Sequence, residues 1–124
     1  MPATTSSEAL KERTKRFALL VIRLCRSVPR SQEGIIITRQ LLRSSTSVGA
    51  NYRAVCRARS NADFVSKLGV VLEEADETLF WLELLVDSGV AQPDRIAPLL
   101  KEANELVSIF VASLRTAKGL KSAI

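Results

Sequence analysis

Residues Arg39–Ala58, RQLLRSSTSVGANYRAVCRA, constrain this chain more than any other stretch. On a helix turning roughly 100° per residue, Arg39, Arg43, Arg53 and Arg57 fall within an arc of about 80°. Leu41, Val48, Tyr52 and Val55 fall on the opposite side, roughly 160–220° from Arg39. Ser44, Ser45, Ser47, Gly49 and Ala50 lie between the two faces. The stretch reads as one long helix with an arginine stripe and an apolar stripe. Its small side chains let a neighbouring backbone come close.

Three other segments repeat the apolar stripe. Ser6 or Ser7 caps a helix over residues 7–28, whose core face holds Leu10, Phe17, Leu20, Val21 and Leu24. Ala18, Leu19 and Ile22 widen that face. Pro29 ends it by disfavouring helical geometry in the residue before it. Ser31 caps a second helix over residues 32–58. Gly34 weakens its first turns by about 1 kcal/mol relative to Ala. Ile35–Ile37 has strand propensity, but it is short and the longer helical period overrides it. Ser60 and Asp63 resemble a capping box before a third helix over 62–88. Its core face is Phe64, Leu68, Val71, Leu72, Ala75, Leu79 and Leu82, and its opposite face carries Glu73, Asp76, Glu77 and Asp87. Gly89 suits the left-handed residue after a helix end. Pro93 suits the first turn of a fourth helix over 93–117, and Pro98 is early enough to be tolerated. Ile96, Leu99, Leu100, Ala103, Leu106, Val107, Phe110, Val111 and Leu114 form its stripe.

Four amphipathic helices joined by short turns predict an all-α fold, an antiparallel up-down-up-down four-helix bundle. At 124 residues the chain makes one domain, 1–124. A domain of that size needs no metal or disulfide to hold it. Cys25 and Cys56 are too far apart on antiparallel neighbours to pair, about 30 Å of helix against the roughly 7 Å a disulfide permits. The polar start MPATTSSEALKERTKR lacks a signal peptide's apolar region, and FALLVIRLC is too short to span a bilayer. A cytoplasmic protein without a membrane partner is the expectation.

Charge is segregated along the chain. The net charge is +5, yet residues 1–60 carry 12 Lys and Arg against 3 Asp and Glu, and residues 61–124 carry 6 against 10. The basic half either binds a polyanion or is neutralised by the acidic half, within or between subunits.

Two segments, QLLRSSTSVGANYRAVCRARS and DFVSKLGVVLEEADETLFWLELL, carry a resemblance. The signature RSS-x-SVGAN-Y, then DF-x-x-KL, EEA-x-ET and WLELL, resembles the bacterial four helix bundle protein family. That family is also described as proteins encoded by intervening sequences within large-subunit ribosomal RNA genes. It is similar to the accessory subunit of diversity-generating retroelements. The resemblance implies an antiparallel four-helix bundle, pentameric barrels and suspected nucleic-acid binding. It implies no enzymatic residue.

The candidate sites follow. Arg39, Arg43, Arg53 and Arg57, with Arg23, Arg26 and Arg30 from the first helix and its turn, are the candidate nucleic-acid surface, and Lys11, Lys15 and Arg16 of the first helix add to the basic charge nearby. Guanidinium forks bind phosphate oxygens in pairs. No aromatic stacking platform or glycine clamp accompanies them, so any recognition would be of backbone and shape. The bland reading is a solvated face paired with acids of the third helix or of a neighbouring subunit. Glu73–Glu77, EEADE, could suggest a carboxylate metal site, but ferritin-like sites need Glu-x-x-His and the chain has no histidine. No metal and no cofactor are expected. Without histidine, the serines and thiols also lack the usual base, and no enzyme is expected. Phe80, Trp81 and Leu84 lie off the core stripe, at about 160°, 260° and 200° from Phe64. They form either a wider core or a subunit interface, and the resemblance favours an interface in a homo-oligomer, a pentamer. The expected function is a non-enzymatic oligomer binding RNA, with service as an accessory to a partner enzyme as one form of it. The alternative is a structural, protein-interaction module whose basic patch only pairs subunits.

Overall fold

The computed structural model describes residues 6–119. It has four helices: α1 (Ser7–Ser27), α2 (Gln32–Val55), α3 (Asn61–Asp87) and α4 (Pro93–Ala117). Three begin on serine caps. The hydroxyls of Ser6, Ser31 and Ser60 accept from the backbone N–H groups of Ala9, Gly34 and Asp63 at 3.1, 3.0 and 3.0 Å. The Asp63 carboxylate reaches back to the N–H of Arg59, 3.1 Å away, one residue before the cap. This is a capping box stretched by one position. α4 instead begins with Pro93, whose missing N–H would have no partner there. Gly89 follows α3 at φ +78°, and Ala91 N–H donates to the Leu85 carbonyl across that turn.

α2 ends earlier than the sequence suggests. The stripe predicts a helix to Ala58, but regular bonding stops at Val55. The N–H groups of Arg57 and Ala58 bond to Ala54 and Val55, tightening the last turn into three-residue steps. Arg57 therefore sits in the connection to α3 rather than on the helical stripe.

Each helix packs beside its neighbours in the chain, and α1 meets α4 to close the bundle with the sparsest contact. Among the described residues, α1 and α3 make no backbone approach, and neither do α2 and α4. The α2–α4 diagonal is filled by side chains, with the Tyr52 and Phe110 rings 5.9 Å apart. Phe17, Val21, Leu41, Val48, Leu68, Val71, Leu82, Leu85, Ile96, Leu106 and Phe110 form the driest part of the core. Burying side chains of this kind contributes roughly 1.5–3 kcal/mol each. Leu20 and Val111, expected in the core, are exposed. They lie on helices whose shared seam is the loosest, so the apolar stripes outreach the contact. Arg13 spans that seam, donating to Glu102 at 2.7 and 2.8 Å and to Glu105 at 2.8 Å.

Small residues set the two seams of α2. A methyl group on Gly49 would meet the Thr14 carbonyl oxygen of α1 at 3.6 Å. On the other side, the Thr78 hydroxyl lies 2.9 Å from Ser44 Oγ and 2.8 Å from the Glu74 carbonyl. All of Thr14, Ser44, Ser45 and Thr78 are buried, and no buried side-chain polar atom among the described residues lacks a partner.

Candidate functional site

α2 lies between α1 and α3, so its arginine stripe is divided between two seams. Arg43 sits at the α3 edge. Its Nη1 lies 3.2 Å from Glu74 Oε1, its Nη2 bonds Glu77 Oε2, and its Nε donates to Gln40 at 3.1 Å. Trp81 Nε1 donates to the same Glu77 oxygen at 3.1 Å. Hydrogen bonds from Trp81 and then Arg43 hold the Glu77 carboxyl below its ordinary range, and the carboxylates raise Arg43 in turn. The Trp81 ring meets Phe80 edge-on, with centroids 4.9 Å apart. Arg43, Glu77, Trp81 and Phe80 thus form a chain of contacts that fixes an aromatic pair on α3. Trp81 and Leu84 are half-buried against the core, whereas Phe80 is 52% exposed.

The other candidate arginines have no such engagement. Arg23, Arg26, Arg30, Arg39, Arg53 and Arg57 are exposed, with no ion-pair partner among the described residues. They occur on α1, the turn after it, α2 and the connection to α3. The α1–α2 register places them in two groups. Thr14 lies against Gly49, and Cys25 Sγ lies 3.9 Å from the Thr38 carbonyl oxygen. Arg30 and Arg39 line a recess of about 250 Å³ at the turn end, together with Cys25. Arg23 and Arg26 belong to that end as well. Arg53 stands toward the other end, beside a groove of about 490 Å³ between α1 and α2. Lys11 and Lys15 share this groove, with Ala18, Gly49 and Ala50 among the residues lining it. Lys11 pairs with Glu8 at 3.0 Å, and Lys15 has no ion-pair partner among the described residues. Arg57 lines a third recess with Arg59, Asp63 and Lys67.

The sequence stripe therefore brings Arg39 and Arg53 to one seam and sends Arg43 to another. The stripe angles did not select Lys11 and Lys15 as groove residues. The signal was the spacing of Glu8, Lys11, Lys15 and Ala18, which aligns them along one edge of α1. Cys25 and Cys56 are both free thiols, and burial pushes Cys25 up to about 11. Among the described residues, no group of three His, Cys, Asp or Glu side chains could hold a metal ion. Nor is any helix among them long and apolar enough to cross a membrane.

The profile of the 23S rRNA-intervening sequence protein family matches residues 8–112, which include most of each helix. The chain belongs to that family. A crystal structure of a protein of unknown function from the S23 ribosomal protein family of Bacteroides thetaiotaomicron is similar to it. The two share 31% identity at a TM-score of 0.78, over 85% of this chain and 97% of the other. No curated protein matches the chain. The 23S rRNA-intervening sequence relationship thus carries the four-helix fold across the domain and assigns no chemistry to any side chain.

Proposed function

We propose that this family member is a non-enzymatic homo-oligomer that binds RNA through the basic surface of α1 and α2. One observation carries the reading. Six exposed arginines, Arg23, Arg26, Arg30, Arg39, Arg53 and Arg57, have no ion-pair partner among the described residues. Glu74 and Glu77 of α3 form their ion pairs with Arg43, and among the described residues with none of these six. Unpaired guanidinium groups along a helix pair suit a phosphate backbone, and nothing beside them reads base edges. Binding is therefore shape- and charge-directed, with little sequence preference.

Fluorescence anisotropy with labelled single-stranded RNA tests it. The association constant falls linearly with salt on a logarithmic plot, by about 0.7 per neutralised phosphate. Arg30→Glu with Arg39→Glu weakens binding at least tenfold, and Arg43→Gln leaves it unchanged. Absence of binding at low salt, or binding indifferent to salt, refutes the reading.

The second reading is a structural interaction module, and the Arg43 pairing with α3 favours it. It predicts that the purified protein ignores RNA while remaining oligomeric.

A further inference from the structure

The recess at the α1–α2 turn differs from the other two that take candidate arginines. The α1–α2 groove sets Glu8 and Glu12 among its cations, and the recess of Arg57 and Arg59 holds Asp63. The turn recess is lined by Arg30 and Arg39 and by no carboxylate. Glu33, in the first turn of α2, is not part of its lining. Neither arginine has an ion-pair partner among the described residues. The other polar side chains of the lining are already engaged. The Thr38 hydroxyl donates to the Gly34 carbonyl at 2.7 Å, and the Cys25 thiol lies 3.9 Å from the Thr38 carbonyl oxygen. Ser31 takes the Gly34 N–H at 3.0 Å, so the start of α2 does not offer that donor. Val28, Pro29 and Leu42 supply apolar wall.

Charge and size choose the occupant. An internal phosphodiester carries one negative charge, and the strand runs on from it in both directions. A phosphate monoester carries about −1.5 to −2 at neutral pH, and the strand leaves it on one side only. Two guanidinium forks match the monoester in charge, and each presents paired donors to phosphate oxygens. The volume is about 250 Å³. That is below the roughly 300–1,000 Å³ of a small-molecule pocket and suits one end group rather than a run of nucleotides. We propose that the turn recess holds the terminal phosphate of an RNA strand between Arg30 and Arg39. The inference rests on the RNA reading above and names the part of the strand that this recess takes. Arg23 and Arg26, at the same end and outside the lining, attract the backbone that follows.

The occupant brings its own titration. A phosphate monoester loses its second proton near about pH 6, and the chain has no histidine to change charge there. Of the groups lining the recess, guanidinium stays cationic throughout. Burial pushes the Cys25 thiol up to about 11, which keeps it protonated. α3 and α4 contribute no residue to the lining. The preference for a phosphate end therefore narrows as pH falls through about 6.

Fluorescence anisotropy with internally labelled RNA strands of one sequence tests the site. The strands end in a 5′-phosphate, in a 3′-phosphate or in hydroxyls, and a hydroxyl-ended strand one nucleotide longer controls for added charge. At about pH 7.5 at least one phosphate end binds about tenfold tighter than the longer control, the scale of one charge-assisted contact. At about pH 5.5 that advantage shrinks to a few-fold. Arg30→Gln with Arg39→Gln erases the advantage, and circular dichroism confirms helicity. Should the pair lose helicity, Arg39→Gln alone, at an exposed position of α2, serves in its place. Arg23→Gln with Arg26→Gln weakens all strands alike and keeps the advantage. Equal affinity for phosphate and hydroxyl ends overturns the proposal and leaves the RNA reading standing. So does an advantage that survives the Arg30 and Arg39 changes, or one that is the same at both pH values. Inorganic phosphate bound as tightly as the phosphate-ended strand makes the recess a site for the free ion and also overturns the proposal. No binding of any strand at low salt removes both readings.

Discussion

Gly34 and Gly69 both interrupt helices, and intrinsic propensity treats them alike. Each should cost about 1 kcal/mol relative to alanine. Their surroundings separate them. A methyl group on Gly69 of α3 meets nothing within 4 Å, so Gly69→Ala collects the full propensity gain. A methyl group on Gly34 would lie 2.6 Å from the Pro29 carbonyl oxygen and 2.9 Å from Ser31 Oγ. The first contact is with backbone and cannot rotate away. Relief requires moving the Pro29–Ser31 turn, which carries the cap that Ser31 makes to the Gly34 N–H. Loss of such a cap costs about 1 kcal/mol, and overpacking adds roughly 1–3 kcal/mol. Against a gain of about 1 kcal/mol, Gly34→Ala is destabilising by about 1–3 kcal/mol. The two variants should differ by roughly 2–4 kcal/mol, on the order of 10 °C in Tm for a chain of this length. Thermal unfolding followed by circular dichroism reads this directly. A Tm for Gly34→Ala at or above the wild-type value would show that the turn gives way freely, and the close-approach argument would be wrong.

Two further outcomes follow from the charge and thiol environments. Glu77 is held below the ordinary glutamate range by Trp81 and Arg43, so its charged form stabilises the fold above that range. That contribution is lost as pH falls through the depressed value. The gap in urea midpoint between wild type and Glu77→Gln should therefore be widest at neutral pH and close in acid, and a gap independent of pH counts against the assignment. Burial pushes the Cys25 thiol up to about 11, so little thiolate exists near neutral pH, whereas Cys56 is exposed. A thiol reagent should modify one cysteine per chain quickly, and Cys56→Ser should remove that fast phase. Two equally fast thiols would refute it.

The fold was legible because period and punctuation agreed. Ser6, Ser31 and Ser60 each precede an apolar stripe, and all three act as caps. Local bonding limited the reading at the end of α2, where three-residue steps carry Arg57 off the stripe. Gly34 read as a weakness because the carbonyl crowding it comes from the preceding turn. Leu20 and Val111 read as core because periodicity reports which face is apolar, and how far a neighbouring helix covers that face depends on packing. The small residues of RSSTSVGA foretold close approach, and Gly49 and Ser44 show it on two different seams. Which seam belongs to α1 and which to α3 depends on the hand of the bundle, and one helix's period carries no record of that.

That hand decides the fate of the arginine stripe. Arg43 and Arg53 lie on opposite edges of an arc of about 80° centred on Arg39. A helix held between two neighbours has a narrow outward arc, so the edges of a stripe this wide are drawn into the seams. On the α3 side, Arg43 meets Glu74 and Glu77. On the α1 side, Arg53 overlooks a groove that Glu8 and Glu12 line beside Lys11 and Lys15, while Arg39 lines a recess with Arg30. Four arginines of one helix surface thus separate into a positioning residue for the aromatic pair, a groove-rim cation, an outward cation and one in the next turn. On the proposed reading, a charge reversal at Arg43 should disturb the contacts of Glu77 and Trp81 and leave RNA affinity unchanged. The same change at Arg39 should weaken RNA binding and leave the mass unchanged. The comparison of those two single variants, in mass and in RNA affinity, separates an arginine stripe that works as one surface from one that the bundle has divided.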